Sequence, residues 1–176
     1  MSRLTFLGWL KLELERMSGL KTIGIHKLAV LAQEDNSRIA EPLLLFAIET
    51  NSTSRLMSYI DESQIKQEYL DVIGLCSDKS ILQLSKAAEE ALPWSYRKLL
   101  SNWRAADNRA QHIEDSKRMR LERSLQLMKE KNVSNAQVYQ ALNLNRGNTN
   151  AYFKHKDTSK LSLDNSTRIM KYLYAL

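Results

Sequence analysis

Residues 146–150 bring together side chains that can recognise the edges of nucleic-acid bases. Arg146 can donate two parallel hydrogen bonds to guanine, and Asn148 or Asn150 can pair with adenine in the same bidentate way. Thr149 offers a hydroxyl or a methyl contact. These residue types predict contact with DNA bases, and the alternative is an exposed polar helix that binds nothing.

Positive charge is concentrated in the same part of the chain. Lys154, His155 and Lys156 follow directly, and no Asp or Glu lies between Lys131 and Lys156. The net charge is +6, but residues 1–92 hold 10 Lys and Arg against 13 Asp and Glu, whereas residues 93–176 hold 16 against 7. This asymmetry is typical of a phosphate-binding module joined to a neutral or acidic one. A basic helix that is merely solvated is the alternative, and it is the interpretation favoured for Lys117, Arg118, Arg120 and Arg123.

The spacing of apolar and capping residues predicts the elements that position these side chains. Leu121, Leu125 and Met128 recur at helical spacing, and Ser134 is a predicted N-cap. Asn143 tolerates the left-handed conformation of a tight turn, and Leu144 can plug that turn into a core. The predicted order is helix 118–131, helix 134–142, turn 143–145, helix 146–156 and, after a loop, a last helix over 163–173 that either Ser162 or Asp164 opens.

These four helices resemble helices one to four of the Cro and λ-repressor class of helix-turn-helix domains, also called Xre-like. The resemblance covers about a third of the chain. Asn143 stands where the family often has glycine, and Gly147 could let the backbone approach a phosphate. The resemblance implies a recognition helix in the major groove of double-stranded DNA and a homodimer on two half-sites. It also implies backbone contacts from the start of the second helix. The predicted DNA-binding residues are Asn135, Gln137, Asn145, Arg146, Asn148, Thr149, Asn150, Lys154 and Lys156.

The rest of the chain also predicts helices, because only 5 Gly and 2 Pro occur in 176 residues. Residues 1–92 are expected to form a bundle of about six short antiparallel helices. Ser18 and Gly19 end its first helix, and a helix over 38–49 lies at the centre with Pro42 in its first turn. Gly74 ends the helix that starts at Ile65, and one helix covers 81–92. Residues 93–117 are a predicted helical connector, because Trp94 to Asn132 contains no Gly or Pro. The whole Gly- and Pro-free segment is expected to form one long helix or two abutting ones. Residues 118–176 are the predicted DNA-binding domain, and the fold class is all-α.

Few features point to an enzyme. The three histidines have no ligand-spaced partner, and neither a phosphate-binding glycine loop nor a paired acid and base is present, so no metal, cofactor or catalytic residue is expected. The lone Cys76 favours a reducing cytoplasm, and no apolar stretch has transmembrane length. The predicted function is transcriptional regulation through sequence-specific DNA binding. The alternatives are an antitoxin-like or mobile-element protein whose residues 1–92 bind a partner protein, and a helical fold with a purely structural role.

Overall fold

A computed structural model of the chain describes residues 4–21, 24–34, 37–77 and 79–176. All regular secondary structure in these ranges is helical, which confirms the predicted fold class. The chain divides into two compact units, Met1–Asp107 and Asn108–Leu176. The division falls inside the segment 93–117 that the sequence predicts as a connector. None of the described helices combines the length and apolar character needed to cross a membrane.

The first unit is built around one central helix. Its helices are α1 (Phe6–Ser18), α2 (Ile25–Glu34), α3 (Ser37–Glu49), α4 (Thr53–Met57), α5 (Gln67–Cys76), α6 (Lys86–Glu90) and the start of α7 (Trp94–Lys131), with 3-10 turns at Glu62–Gln64 and Ile81–Gln83. Helix α3 packs against α1, α2, α4 and α5. Leu43, Leu44 and Leu45 are buried almost completely, so the predicted central position of this helix is confirmed.

Local chemistry sets the ends of α1. The Thr5 hydroxyl accepts a hydrogen bond from the Gly8 N–H at 3.1 Å, which satisfies one of the free donors of the first turn. Gly19 follows the last residue at φ 69°, and its N–H donates to the Glu15 carbonyl at 2.9 Å. Glycine enters this left-handed region at little steric cost, so the predicted end of the helix at Ser18 and Gly19 is confirmed.

Three boundary predictions in this unit are wrong. Pro42 lies inside α3, beyond the first turn. The lost hydrogen bond and ring clash cost about 3 kcal/mol, but each buried leucine contributes roughly 1.5–3 kcal/mol. Gly74 does not end α5, which continues to Cys76 because the buried Val72 and Cys76 share its apolar face. The helix predicted over 81–92 is a 3-10 turn and the short α6, because Ser85 caps a new helix.

The second unit has a separate core. It contains the rest of α7, α8 (Asn135–Leu142), α9 (Arg146–Lys154), a 3-10 turn at Thr158–Lys160 and α10 (Leu163–Ala175). The buried apolar residues are Leu121, Leu127, Met128, Val138, Tyr152, Phe153, Leu161, Ile169 and Leu173. Of the two predicted arrangements of this segment, one long helix or two abutting ones, the structure has the single helix α7 of 38 residues. Of the two predicted starts of α10, the structure selects Ser162, whose side chain accepts from the Asn165 N–H at 3.1 Å.

Candidate nucleic-acid interface

A reciprocal pair of hydrogen bonds starts α8. The Ser134 hydroxyl accepts from the Gln137 N–H at 3.3 Å, and the Gln137 Oε1 accepts from the Ser134 N–H at 2.7 Å. This capping box satisfies two backbone donors that the first turn of a helix leaves free. Val138 is fully buried and anchors the helix on the core. The predicted N-cap is confirmed, and the Gln137 side chain, although exposed, already has a structural role.

The turn between α8 and α9 has the predicted conformation. Asn143 adopts φ 53° and ψ 48°, the left-handed region that asparagine tolerates better than most residues. The next N–H, from Leu144, donates to the Tyr139 carbonyl at 2.9 Å, and the Leu144 side chain packs against the core of the unit. Arg168 of α10 reaches the same turn, where its Nη2 donates to the Leu142 carbonyl at 3.0 Å. These bonds hold α8 and α9 in a defined relation.

Helix α9 is anchored along one side. Its N-cap is Asn145, whose Oδ1 accepts from the Asn148 N–H at 2.9 Å. Tyr152 and Phe153 are buried with ring centroids 5.2 Å apart and an interplanar angle of 69°, a favourable edge-to-face arrangement. Burial raises the pKa of Tyr152 to about 12, so this side chain stays neutral at physiological pH. Because the aromatic pair fixes the orientation of α9 on the core, it also determines which side chains of α9 face outward.

Four of the predicted contact residues are exposed on or just after α9. They are Arg146, Asn148, Lys154 and Lys156. Within the described ranges no carboxylate pairs with any of the three cations, and the Asn148 side-chain amide has no hydrogen-bond partner. Their charges and donors are therefore available to a ligand, and we define these four residues as the α9 surface.

A hydrogen bond between side chains links the two short helices. The Asn135 Nδ2 donates to the Asn150 Oδ1 at 3.3 Å, and both residues are half-buried. The bond occupies one of the two groups that a bidentate pairing of Asn150 with adenine needs. Asn148, with both groups free in the described structure, is therefore better placed for base recognition than Asn150.

The predicted DNA contact by Thr149 is wrong. Its side chain is fully buried, and its hydroxyl donates to the Asn145 carbonyl at 2.9 Å. The reason is helical geometry, because Thr149 lies three and four residues before Tyr152 and Phe153 and shares their inner face. This spacing is visible in the sequence and could have placed Thr149 in the core.

The basic run of α7 has partners inside the second unit for each of its members, Lys117, Arg118, Arg120 and Arg123. Arg118 pairs with Asp115 at 2.8 Å, and the Arg120 Nη1 donates to the Ser116 carbonyl at 3.2 Å. The Arg123 Nε donates to the Tyr174 hydroxyl at 2.7 Å, and the guanidinium lies 5.3 Å from the centre of the same ring. These contacts favour the solvated-face interpretation of this basic run over phosphate binding.

Arg168 is a positioning residue that the sequence analysis did not single out. Besides holding the Leu142 carbonyl, it donates from Nη1 to the Asn165 Oδ1 at 2.9 Å. No sequence signal marks it, because its partner is a backbone carbonyl 26 positions earlier.

No group of three or more His, Cys, Asp or Glu suited to a metal ion occurs among the residues whose structure is described. Comparisons of the chain with protein-family models, curated proteins and solved structures find no match.

Proposed function

We propose that the protein is a sequence-specific DNA-binding regulator. Helices α8 and α9 act as a helix-turn-helix of the Cro and λ-repressor type, with residues 118–131 of α7 and α10 as its first and last helices. The observation that carries this proposal is the α9 surface itself. It is exposed, no carboxylate of the described residues pairs with its cations, and it lies opposite a face that Tyr152 and Phe153 anchor in the core.

The chemistry of this surface divides into two kinds of contact. Arg146 and Asn148 lie in the first turn of α9, the end of a recognition helix that reads base edges in the major groove. Lys154 and Lys156 lie at and beyond its other end, where cations add affinity without sequence information. Residues 108–176 as a whole carry 13 Lys and Arg against 6 Asp and Glu, which favours approach to a polyanion.

The proposal includes a homodimer on DNA. Helix-turn-helix proteins of this type bind two half-sites separated by about 10–10.5 base pairs, and the two-fold symmetry of the dimer appears in the site. A single α9 offers two side chains for base recognition, Arg146 and Asn148, and these can specify only a few base pairs. A second copy would double the contacts.

Selection from a random double-stranded DNA library with the full chain tests the proposal. We expect a site with two symmetric half-sites, bound with an affinity that falls steeply as salt rises. Arg146→Ala should cost about 1–3 kcal/mol of discrimination at one base pair, and Lys154→Ala should weaken binding to all sequences alike and lower the salt slope by about one. A matched control is Lys171→Ala, which removes an exposed cation of α10 outside the α9 surface. Absent or salt-insensitive binding would contradict the proposal.

A further inference from the structure

The first unit contains a cavity of about 280 Å³ between α2, α3, α4 and α5. Its apolar wall is formed by Ala29, Ala32, Leu43, Leu44, Leu56 and Met57. Its walls belong to the hydrophobic core of the unit, and the exposed Gln64 and Lys66 also line it, so the space is open to solvent on that side. The DNA-binding proposal does not use it.

The size and wall of the cavity fit an aromatic or branched aliphatic body. An apolar cavity of about 150 Å³ in another protein stays dry and accepts benzene. A space nearly twice as large suits a bicyclic ring or a comparable aliphatic group, corresponding to about 10–13 non-hydrogen atoms. Ala29, Ala32 and Ala40 line the α2 and α3 sides, where no described residue contributes an aromatic ring, and this leaves a flat ligand room to enter.

The polar lining lies on the segment from the 3-10 turn to α5. Gln64, Lys66 and Tyr69 line the cavity there, and the Lys66 ammonium lies 5.9 Å from the centre of the Tyr69 ring. Within the described ranges Lys66 has no ion pair with a carboxylate, and the exposed Gln64 amide has no hydrogen-bond partner. A cation and an amide donor are thus free to meet an acceptor group.

The remaining polar groups nearby do not compete for this role. Gln33 also lines the cavity, but its amide is fully engaged: it donates to the Ala29 and Tyr59 carbonyls at 3.1 Å each and accepts from the Asp61 N–H at 3.2 Å. Glu41 and Glu68 are close enough to help burial raise the pKa of Tyr69, yet neither lines the cavity. Among the described residues that line the cavity, Lys66 carries the only formal charge.

We propose that this cavity binds a small carboxylic acid with an aromatic or branched aliphatic body, which fills the apolar wall while its carboxylate meets the Lys66 ammonium and the Gln64 amide. Such a charge-assisted pairing gives the ligand one orientation, as in most small-molecule sites, where a few polar groups orient a largely apolar ligand. Binding here does not depend on whether residues 108–176 bind DNA.

Indole-3-acetate and indole-3-acetamide are matched probes, because they share size and shape and differ in charge. The full chain carries ¹³C-methyl labels on its six methionines, of which Met57 lines the cavity and Met119 of the second unit is an exposed internal control. We expect the acetate to shift the Met57 signal saturably, with a Kd at or below about 1 mM, and to leave the Met119 signal unchanged. The acetamide should bind about tenfold more weakly.

Two variants test separately the contribution of the Lys66 charge and that of the cavity volume to ligand binding. Lys66→Gln should weaken acetate binding about tenfold and leave acetamide binding unchanged, whereas Lys86→Gln, at an exposed lysine outside the cavity, should change neither. Ala32→Leu should fill the cavity and abolish binding of both probes. Circular dichroism checks that each variant is folded, and the exposed position of Lys66 makes its variant informative even if Ala32→Leu does not fold.

An unchanged Met57 signal at millimolar acetate would overturn the proposal. Equal affinity for the two probes, or acetate binding that Lys66→Gln leaves unaltered, would overturn the assigned carboxylate partner and with it the ligand class.

Discussion

Thr149 and Asn148 are neighbours in α9 with opposite environments. Thr149 is fully buried with its hydroxyl bonded to the Asn145 carbonyl, whereas Asn148 is exposed and its side-chain amide has no hydrogen-bond partner among the described residues. A base contact needs a donor and acceptor at the surface, so the residue type alone could not decide which of the two recognises DNA. The pair therefore separates a structural from a recognition role within one turn of helix.

Substitution of these two residues should give different results. Thr149→Val keeps the shape, and the Asn145 carbonyl still accepts from the residue 149 N–H at 2.9 Å, so the free energy of unfolding should change by no more than about 1 kcal/mol. Its DNA affinity and base preference should equal those of the parent. Asn148→Ala should lose about 1–3 kcal/mol of discrimination at one base pair. Titrations against the selected site and its single-base variants measure both, and a changed base preference in folded Thr149→Val would refute the core assignment.

At the level of helices, the two glycines of the first unit illustrate how context decides the effect of one residue type. Gly19 lies just after α1 in the left-handed region at φ 69°, and Gly74 lies inside α5. A Cβ atom added at either position would meet no neighbour within 4 Å. An alanine methyl group would therefore be free of steric clashes at both sites, and the two sites differ in backbone conformation.

We expect opposite effects of alanine at these sites. Gly19→Ala should destabilise the first unit by about 1–2 kcal/mol, because an L-residue is strained in the left-handed region. Gly74→Ala should stabilise it by about 0.5–1 kcal/mol, because alanine loses less conformational freedom in a helix. Urea unfolding followed by tryptophan fluorescence reports on this unit, since Trp9, Trp94 and Trp103 all lie in it. Equal effects of the two substitutions would argue against the continuation of α5 past Gly74.

The sequence predicts helices best where a local chemical signal marks them. Ser134 as N-cap, Asn143 in the turn and Gly19 after α1 each act on backbone groups within a few residues of their own position, and all three predictions are confirmed. The misplaced Pro42 and Gly74 depend on packing between distant segments, which outweighs the local preference. The α9 surface shows the same difference between local and long-range effects. Its cations are visible in the sequence. The Asn135–Asn150 hydrogen bond and the bond from Arg168 to the Leu142 carbonyl are not, because they join residues 15 and 26 positions apart.

Over the whole molecule, charge follows the division into two units. Residues 1–107 carry 13 Lys and Arg against 14 Asp and Glu, whereas residues 108–176 carry 13 against 6. The excess positive charge of the chain therefore belongs entirely to the unit that holds the α9 surface. Salt screens exposed charges beyond about 8–10 Å, so DNA affinity should depend more on the position of a charge than on the net charge of the chain.

Two charge reversals with the same effect on net charge test this point. Lys154→Glu alters the α9 surface, and Lys86→Glu alters the exposed first residue of α6, where a carboxylate suits the helix dipole. Each changes the net charge from +6 to +4. We expect Lys154→Glu to weaken DNA binding at least about tenfold and to flatten its salt dependence, because a phosphate contact becomes a repulsion. Lys86→Glu should leave both unchanged. Fluorescence anisotropy over a range of salt concentrations measures affinity and slope together. Similar losses in the two variants would mean that DNA responds to the net charge of the chain, and the α9 surface would then lose its proposed role.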